Sequence, residues 1–392
     1  MSSTPPADAP EPDLFTRDFA LILATQLAFG FAFSSFFLLP KFVVTALGGS
    51  PRQVGFVGAL AVISAVLVSP LCGKLLDVGR RVPLMAWGCL LSGWAALGFV
   101  RVCEVGPYIY ALRAVQGVSY TLYFVAAITL VSDLAPAARL GQAIGWFGSA
   151  GLVMNAIATL AAERLADSYG WHAVFYTAAA SGLLGAVLAL AVGEPRHHAQ
   201  RARDSSADLA APHQPRVLWA AAAGGAAFGA LFTFTQPLAL SLGDTNISPL
   251  FAGYTGAALF VRLAFSNAAD RFGRARVGGT ALGLYSLVVA GTAALARGWL
   301  PVLGVGFGLA HGAFYPSLNA AALEGVGRRQ RGSVGAYFNA AFNAGVFVVT
   351  FCFGQVAQLY GYRIVFLLVA CLSASGCFVL LGQARKPRFA RP

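Results

Sequence analysis

Twelve largely apolar stretches, each of about twenty residues or more, follow one another along this chain, and few architectures can accommodate such a series. They cover approximately residues 18–45, 53–76, 82–101, 106–132, 139–163, 171–193, 216–242, 249–269, 276–297, 299–323, 332–356 and 362–382. About 20 apolar residues suffice for a helix to cross the hydrocarbon core of a bilayer. Only 11% of the 392 residues are charged, against roughly 25% in soluble domains. Lipid is therefore the solvent for most of the chain. Backbone groups in lipid must be bonded within the segment that crosses it, so the expected class is an all-α integral membrane protein with twelve transmembrane helices.

The polar segments between these runs divide the chain. "EPRHHAQRARDSSADLAAPHQP" (194–215) is the only long one and falls near the middle. The expected organisation is a disordered tail (1–17), a six-helix bundle (18–193), a linker (194–215), a second six-helix bundle (216–383) and a basic tail (384–392). The acidic, Pro-rich start lacks the basic region of a signal peptide. With both termini inside, inner segments carry nineteen Lys and Arg residues and outer loops five. The positive-inside rule then puts both termini in the cytoplasm, as in a multi-pass protein of a bacterial inner membrane. The net charge of +12 lies in short clusters that suit an anionic leaflet, not in a stripe for nucleic acid. The six cysteines show no pairing or metal-ligand spacing.

The two halves repeat. "ADSYGWHAVF" (166–175) returns as "AQLYGYRIVF" (357–366), an offset of 191, which also relates Gly117 to Gly308, Phe124 to Tyr315 and Gly141 to Gly332. At an offset of 193, "SPLCGKLLDVGRR" (69–81) lies over "RLAFSNAADRFGR" (262–274). Internal duplication of this kind marks transporters whose site lies between the repeats near the membrane midplane. The two charged loops resemble the loop signature of the major facilitator superfamily, Gly-x-Leu-Ala-Asp-Arg-x-Gly-Arg-Arg. Its positions fall on Gly73, Asp77, Arg80 and Arg81 in the first copy, and on Asp270, Arg271, Gly273 and Arg274 in the second. The first copy lacks one residue after Asp77 and carries Val78 for an arginine; the second has Asn267 and Ala268 in place of a basic and aliphatic pair. The resemblance implies a latch on the cytoplasmic side, the aspartate pairing with arginines and a helix N-terminus in the outward-facing state. A carboxylate is favourable at a helix N-terminus in any case. "LRAVQGVSY" is similar to the Arg-x-x-Gln-Gly pattern of drug:proton antiporters through Arg113, Gln116 and Gly117. The antiporter signature of span five is absent: "GLVMNAIATL" (151–160) has Asn155 where Gly-Pro begins.

Ionisable residues inside spans are costly and mark candidate sites. Helical spacing puts Arg113, Gln116, Tyr120 and Phe124 along one face of span four, and His311, Tyr315 and Asn319 along one face of span ten. Span eleven offers Asn339 and Asn343, and spans one and seven offer Gln26 and Gln236. Arg113 has a structural alternative, bonding helix backbones. Arg262, eight residues before Asp270, lies about 12 Å inside the loop and either faces the cavity or snorkels; Lys41, near the outer end of span one, is expected to snorkel. His311 is of the residue type that changes charge near neutral pH. Every carboxylate falls in a tail, a loop or a span end, so the cavity is expected to be neutral to basic and to favour an anionic or zwitterionic solute.

No Gly-Lys-Ser/Thr phosphate loop and no Ser-His-Asp or metal-ligand cluster is present. The expectation is a monomeric, non-enzymatic transporter without a cofactor, its partners being protons, lipid and a small solute. It would work by alternating access, with proton-coupled export of a carboxylate metabolite or siderophore-like compound. A multidrug exporter is the nearest alternative, and a non-transporting receptor on the same scaffold is one from another class.

Overall fold

A computed structural model of the chain describes residues 14–78, 81–136, 139–194, 214–265, 268–327 and 330–384. The described residues form fourteen α-helices and one 3-10 turn. Span one is broken: α1 (Arg17–Ser34) passes through the 3-10 turn Ser35–Leu38 into α2 (Leu39–Thr45). Spans two to six are α3 (Pro51–Val78), α4 (Arg81–Phe99), α5 (Pro107–Leu134), α6 (Leu140–Tyr169) and α7 (Trp171–Leu190). Spans seven and eight are α8 (Pro215–Ser241) and α9 (Ser248–Ala264), after which α10 (Ala268–Phe272) is a single loop turn. Spans nine to twelve are α11 (Arg274–Ala293), α12 (Leu300–Ala322), α13 (Arg331–Tyr360) and α14 (Tyr362–Ala384). An even number of crossings puts both described chain ends at one end of the bundle, the near end. The turns after residues 45, 99, 169, 241, 293 and 360 form the far end.

Local chemistry sets the helix limits. Thr16 caps α1 by accepting from the Phe19 amide at 3.2 Å. Proline occupies the first turn of α5, α8, α9 and α12, where its missing N–H is not needed. The abrupt turns at Gly170 (φ 81°) and Gly361 (φ 85°) sit 191 residues apart. Each holds the left-handed conformation that only glycine adopts without strain. Among the described residues, nine helices are long and apolar enough to cross a membrane. The other three crossings are short or rich in glycine and polar residues: α9 has 17 residues, and α11 and α12 carry Gly-Gly, His311 and Asn319. They pack into the same bundle.

Packing repeats with the sequence. In the first half α3 and α4 lie on α5, and α4 and α1 on α7; in the second α9 lies on α12, and α11 and α8 on α14. A Cβ on Gly117 would strike the Ala61 carbonyl, and one on Gly308 the Tyr254 carbonyl. Ala61 and Tyr254 are themselves 193 residues apart, so the same close backbone approach is made once in each half. Small residues at such crossings let helices touch where no hydrophobic effect drives them together. Across the halves, α3 meets α13 and α6 meets α9.

Among the described residues, hydrogen bonds between the halves are confined to part of their length. Five hydrogen bonds join described residues of the two halves. Lys41 Nζ donates to Thr245 O (2.6 Å), Gln236 Nε2 to Phe37 O (2.6 Å) and Thr255 Oγ1 to Leu152 O (3.2 Å). The amides of Ile247 and Ser248 both donate to Glu163 at 2.7 Å. All five lie at mid-depth or toward the far end. Residues 51–58 of α3 touch Thr350 and Gly354 of α13 there, whereas Leu67, Leu71 and Leu75 of α3 and Asn339 of α13 are exposed. Among the described residues, the cleft between the halves therefore opens to the near end. Leu14 and Phe15, inside the expected tail, pack on the bundle: Leu14 is buried and Phe15 meets Trp146 edge-on.

Candidate functional site

Three cations lie within spans, and the structure treats each differently. Arg113 of α5 is bonded inside the first half: Nε donates to Val57 O (3.2 Å) and Nη1 to Gln116 Oε1 (2.6 Å). Those contacts fix α5 against α3, the structural role that sequence left open beside transport. Lys41 does not snorkel, contrary to expectation. It is 6% exposed and paired with Glu163 at 2.6 Å, with Asp167 at 3.8 Å. Arg262 of α9 has neither hydrogen bond nor ion pair among the described residues, and its Nε is buried without a partner. Its Nη1 lies 3.6 Å from where a Cβ on Gly148 would stand, so the side chain turns toward α6 of the other half.

Around this arginine the cleft is built from both halves. Tyr120, midway along α5, is 36% accessible, and Phe124 is 39% accessible. Their rings stack at 5.5 Å and 12°, and Phe33 of α1 continues the surface at 4.9 Å from Tyr120. From the second half, Tyr315 donates to Asn339 Oδ1 at 2.7 Å. Asn339 Nδ2 donates to Gly335 O and Asn343 Nδ2 to Asn339 O, and Asn319 Oδ1 is buried without a partner. His311 stands apart from this open surface, 8% exposed among Phe228, Tyr254, Phe307 and Phe342. Its Nδ1 lies 2.6 Å from Tyr285 Oη.

The remaining candidates hold helices. Gln26 Oε1 accepts from Tyr123 Oη at 2.7 Å within the first half. Gln236, fully buried beside Pro237, donates to the Phe37 carbonyl freed by the 3-10 break, and its Oε1 has no partner. Asn155, which departs from the antiporter pattern, accepts from Ser34 Oγ at 2.8 Å and ties α6 to α1.

At the near end, Arg80 and the side chains of Asp77 and Asp270 lie outside the described residues. Gly73 lies in α3. Arg81 is paired with Asp133 at the end of α5, and Glu194 accepts from the amides of Arg81 and Val82, capping α4. In the second loop, Arg271 stacks over Phe272 at 5.5 Å, Gly273 (φ 92°) turns the chain, and Arg274 reaches Ala320 O at 3.4 Å.

Sequence reasoning missed one site, at the far end. Glu163 was expected at the margin of span five, but α6 continues to Tyr169 and Glu163 is 3% exposed. Its carboxylate accepts from Lys41 in its own half and from the first amides of α9 in the other, where a helix N-terminus favours negative charge. The signal was present: a lysine deep in span one needs a counter-charge.

Comparison with known proteins agrees with this architecture. The model of the Major Facilitator Superfamily matches residues 21–248 and 233–391. An uncharacterized MFS-type transporter of Pseudomonas aeruginosa (strain UCBPP-PA14) is 24% identical over 412 aligned positions, 98% of each chain. Multidrug resistance protein 3 of Bacillus subtilis is 28% identical over 142 residues, 34% of this chain but only 27% of that protein. Among solved structures, the nucleoside transporter NupG superposes with a TM-score of 0.76 at 16% identity, covering 95% of this chain and 100% of the other. With residues 21–391 matched by the family and its fold shared with a solved transporter, the chain belongs to the Major Facilitator Superfamily of membrane transporters.

Proposed function

We propose that this chain is a secondary transporter that works by alternating access and exports a small anionic or zwitterionic organic solute in exchange for protons. The observation that carries the reading is Arg262, a guanidinium beside the cleft with no counter-charge among the described residues. A half-buried guanidinium within a span is costly without a counter-charge, and a bound substrate anion supplies the missing partner. The excess of arginine and lysine in near-end segments supports a cytoplasmic near end, in the inner membrane of a bacterium. In that orientation the cleft faces the cytoplasm, the state in which an exporter collects its substrate. The Glu163–Lys41 contact with α9 then closes the external side. The proton is exchanged at His311, hydrogen-bonded to Tyr285, and the Asp77 and Asp270 loops latch the cytoplasmic side when the cleft reverses.

A multidrug exporter of lipophilic cations is the second reading. It is favoured by the likeness to the Bacillus protein and by the accessible rings of Tyr120 and Phe124. Purified protein separates the two. A ligand at 100 times its dissociation constant stabilises the folded state by about 2.7 kcal/mol. Organic carboxylates should raise the melting temperature of the wild type and not of Arg262→Gln. Stabilisation by ethidium-like cations alone would leave only the multidrug reading.

A further inference from the structure

We propose that the solute is a ring-bearing organic acid, its anionic group held by Arg262 and its planar ring laid against Tyr120 and Phe124 of the opposite half. The inference rests on the anionic reading above and adds the ring. Arg113 commits its Nε and one Nη1 hydrogen to Val57 and Gln116, so it is partly held within its own half. Arg262 has its donors unclaimed, and a guanidinium binds a carboxylate through two parallel hydrogen bonds. Gly148 faces it with no side chain, so the approach from the first half is open.

The ring surface lies within reach of the same small molecule. Gly148, which the Arg262 guanidinium approaches, follows directly on Phe147, whose ring centroid lies 6.1 Å from that of Phe124. Tyr120 and Phe124 are stacked nearly parallel and more than a third accessible. Each ring has aromatic neighbours on part of its surface, Phe33 beside Tyr120 and Phe147 beside Phe124, and the remainder is open. An aliphatic acid would satisfy Arg262 and leave the shelf bare. A planar acid satisfies both, joining α9 of one half to α5 of the other, as substrates at repeat interfaces do. An added aromatic contact improves affinity by a few-fold to about tenfold.

Thermal unfolding of the purified full chain tests this with 2-naphthoate, octanoate and naphthylmethylammonium as probes. In the wild type, 2-naphthoate should reach half-maximal stabilisation at a concentration about tenfold lower than octanoate, with the ammonium probe inactive. Arg262→Gln should abolish the response to both acids, and Arg262→Lys should restore part of it. Tyr120→Leu with Phe124→Leu should bring the two acids to equal potency without removing binding. Equal potency already in the wild type overturns the ring and leaves the anionic solute standing. Stabilisation by the ammonium probe and by neither acid overturns both. A naphthoate response that persists undiminished in Arg262→Gln reflects partition into detergent and also overturns the proposal. Should the Leu variant fail to fold, the wild-type comparison decides alone.

Discussion

Replacing Glu163 with glutamine is expected to open the far end of the protein, and the structure sets the size of the effect. One carboxylate oxygen accepts from Lys41 Nζ (2.6 Å) and the Ile247 amide (2.7 Å), the other from the Ser248 amide (2.7 Å). Lys41 and Glu163 belong to the same half and move together when the halves part, so their mutual attraction largely cancels. What opening breaks is the pair of bonds to α9. An amide has one acceptor oxygen, so glutamine loses at least one of them, and a hydrogen bond to a charged group contributes about 1.5–3 kcal/mol. The lost charge at the α9 N-terminus removes about 0.3–1 kcal/mol more. A total of about 2–4 kcal/mol shifts the equilibrium by about 30-fold to several hundred-fold toward far-end opening. Nitroxide labels at Tyr169 and Tyr360, the exposed tips of α6 and α13 (78% and 70%), report the distance between the halves by double electron–electron resonance. With the six native cysteines replaced, Glu163→Gln should add a longer-distance population, and Lys41→Gln a smaller one through loss of the Thr245 contact. Superimposable distance distributions in all three proteins would refute the reasoning, because no contact of this strength could then be holding the far side shut.

Three other outcomes are expected. His311→Gln should abolish pH-driven accumulation in proteoliposomes yet permit exchange down a substrate gradient, and an unchanged pH profile would move proton handling to a boundary carboxylate such as Asp133. Asp77→Asn should lower transport with expression intact, and full transport by that variant in vesicles would remove the basis for a near-end latch. Gly308→Ala places a methyl against the Tyr254 carbonyl and should cost about 1–3 kcal/mol by overpacking; an unchanged melting temperature would show that α9 and α12 can move apart freely.

Most of the fold could be read from the chain because each crossing is long, apolar and bounded by charge, a pattern with one solution in lipid. The duplication was legible for a similar reason: Gly117 and Gly308 meet carbonyls at matched positions, where no larger residue fits. Three features could not be read. The 3-10 break at Ser35–Leu38 lies in "SFFL" with only Pro40 beyond it, and a lone proline near a helix end does not say on which side the ladder breaks. The far end of α6 was placed too early because "ERLADS" looks like a loop, although Glu163 and Asp167 are one turn apart and both reach Lys41. The depth of Leu14 has no periodic pattern around it to announce that it packs.

Site residues were harder to read, because helical spacing assigns a face but not what that face meets. Arg113, Gln116 and Tyr120 share a stripe of α5, and the structure splits it: Arg113 and Gln116 bond each other and α3, and Tyr120 alone turns to the cleft. On α12, His311 goes to Tyr285 and Tyr315 to Asn339 on α13, one turn apart but with different partners. Arg262 and Lys41 show the limit most clearly. Both are lone cations in apolar runs, and sequence gives the same physical alternatives for each, a counter-charge or a path to the headgroups. The outcome depends on a residue more than a hundred positions away: Lys41 meets Glu163, and Arg262 meets the bare backbone of Gly148. A cation that finds a carboxylate becomes a strut between helices. One that finds a glycine keeps its donors free, and that difference separates the far-end closure from the candidate substrate site.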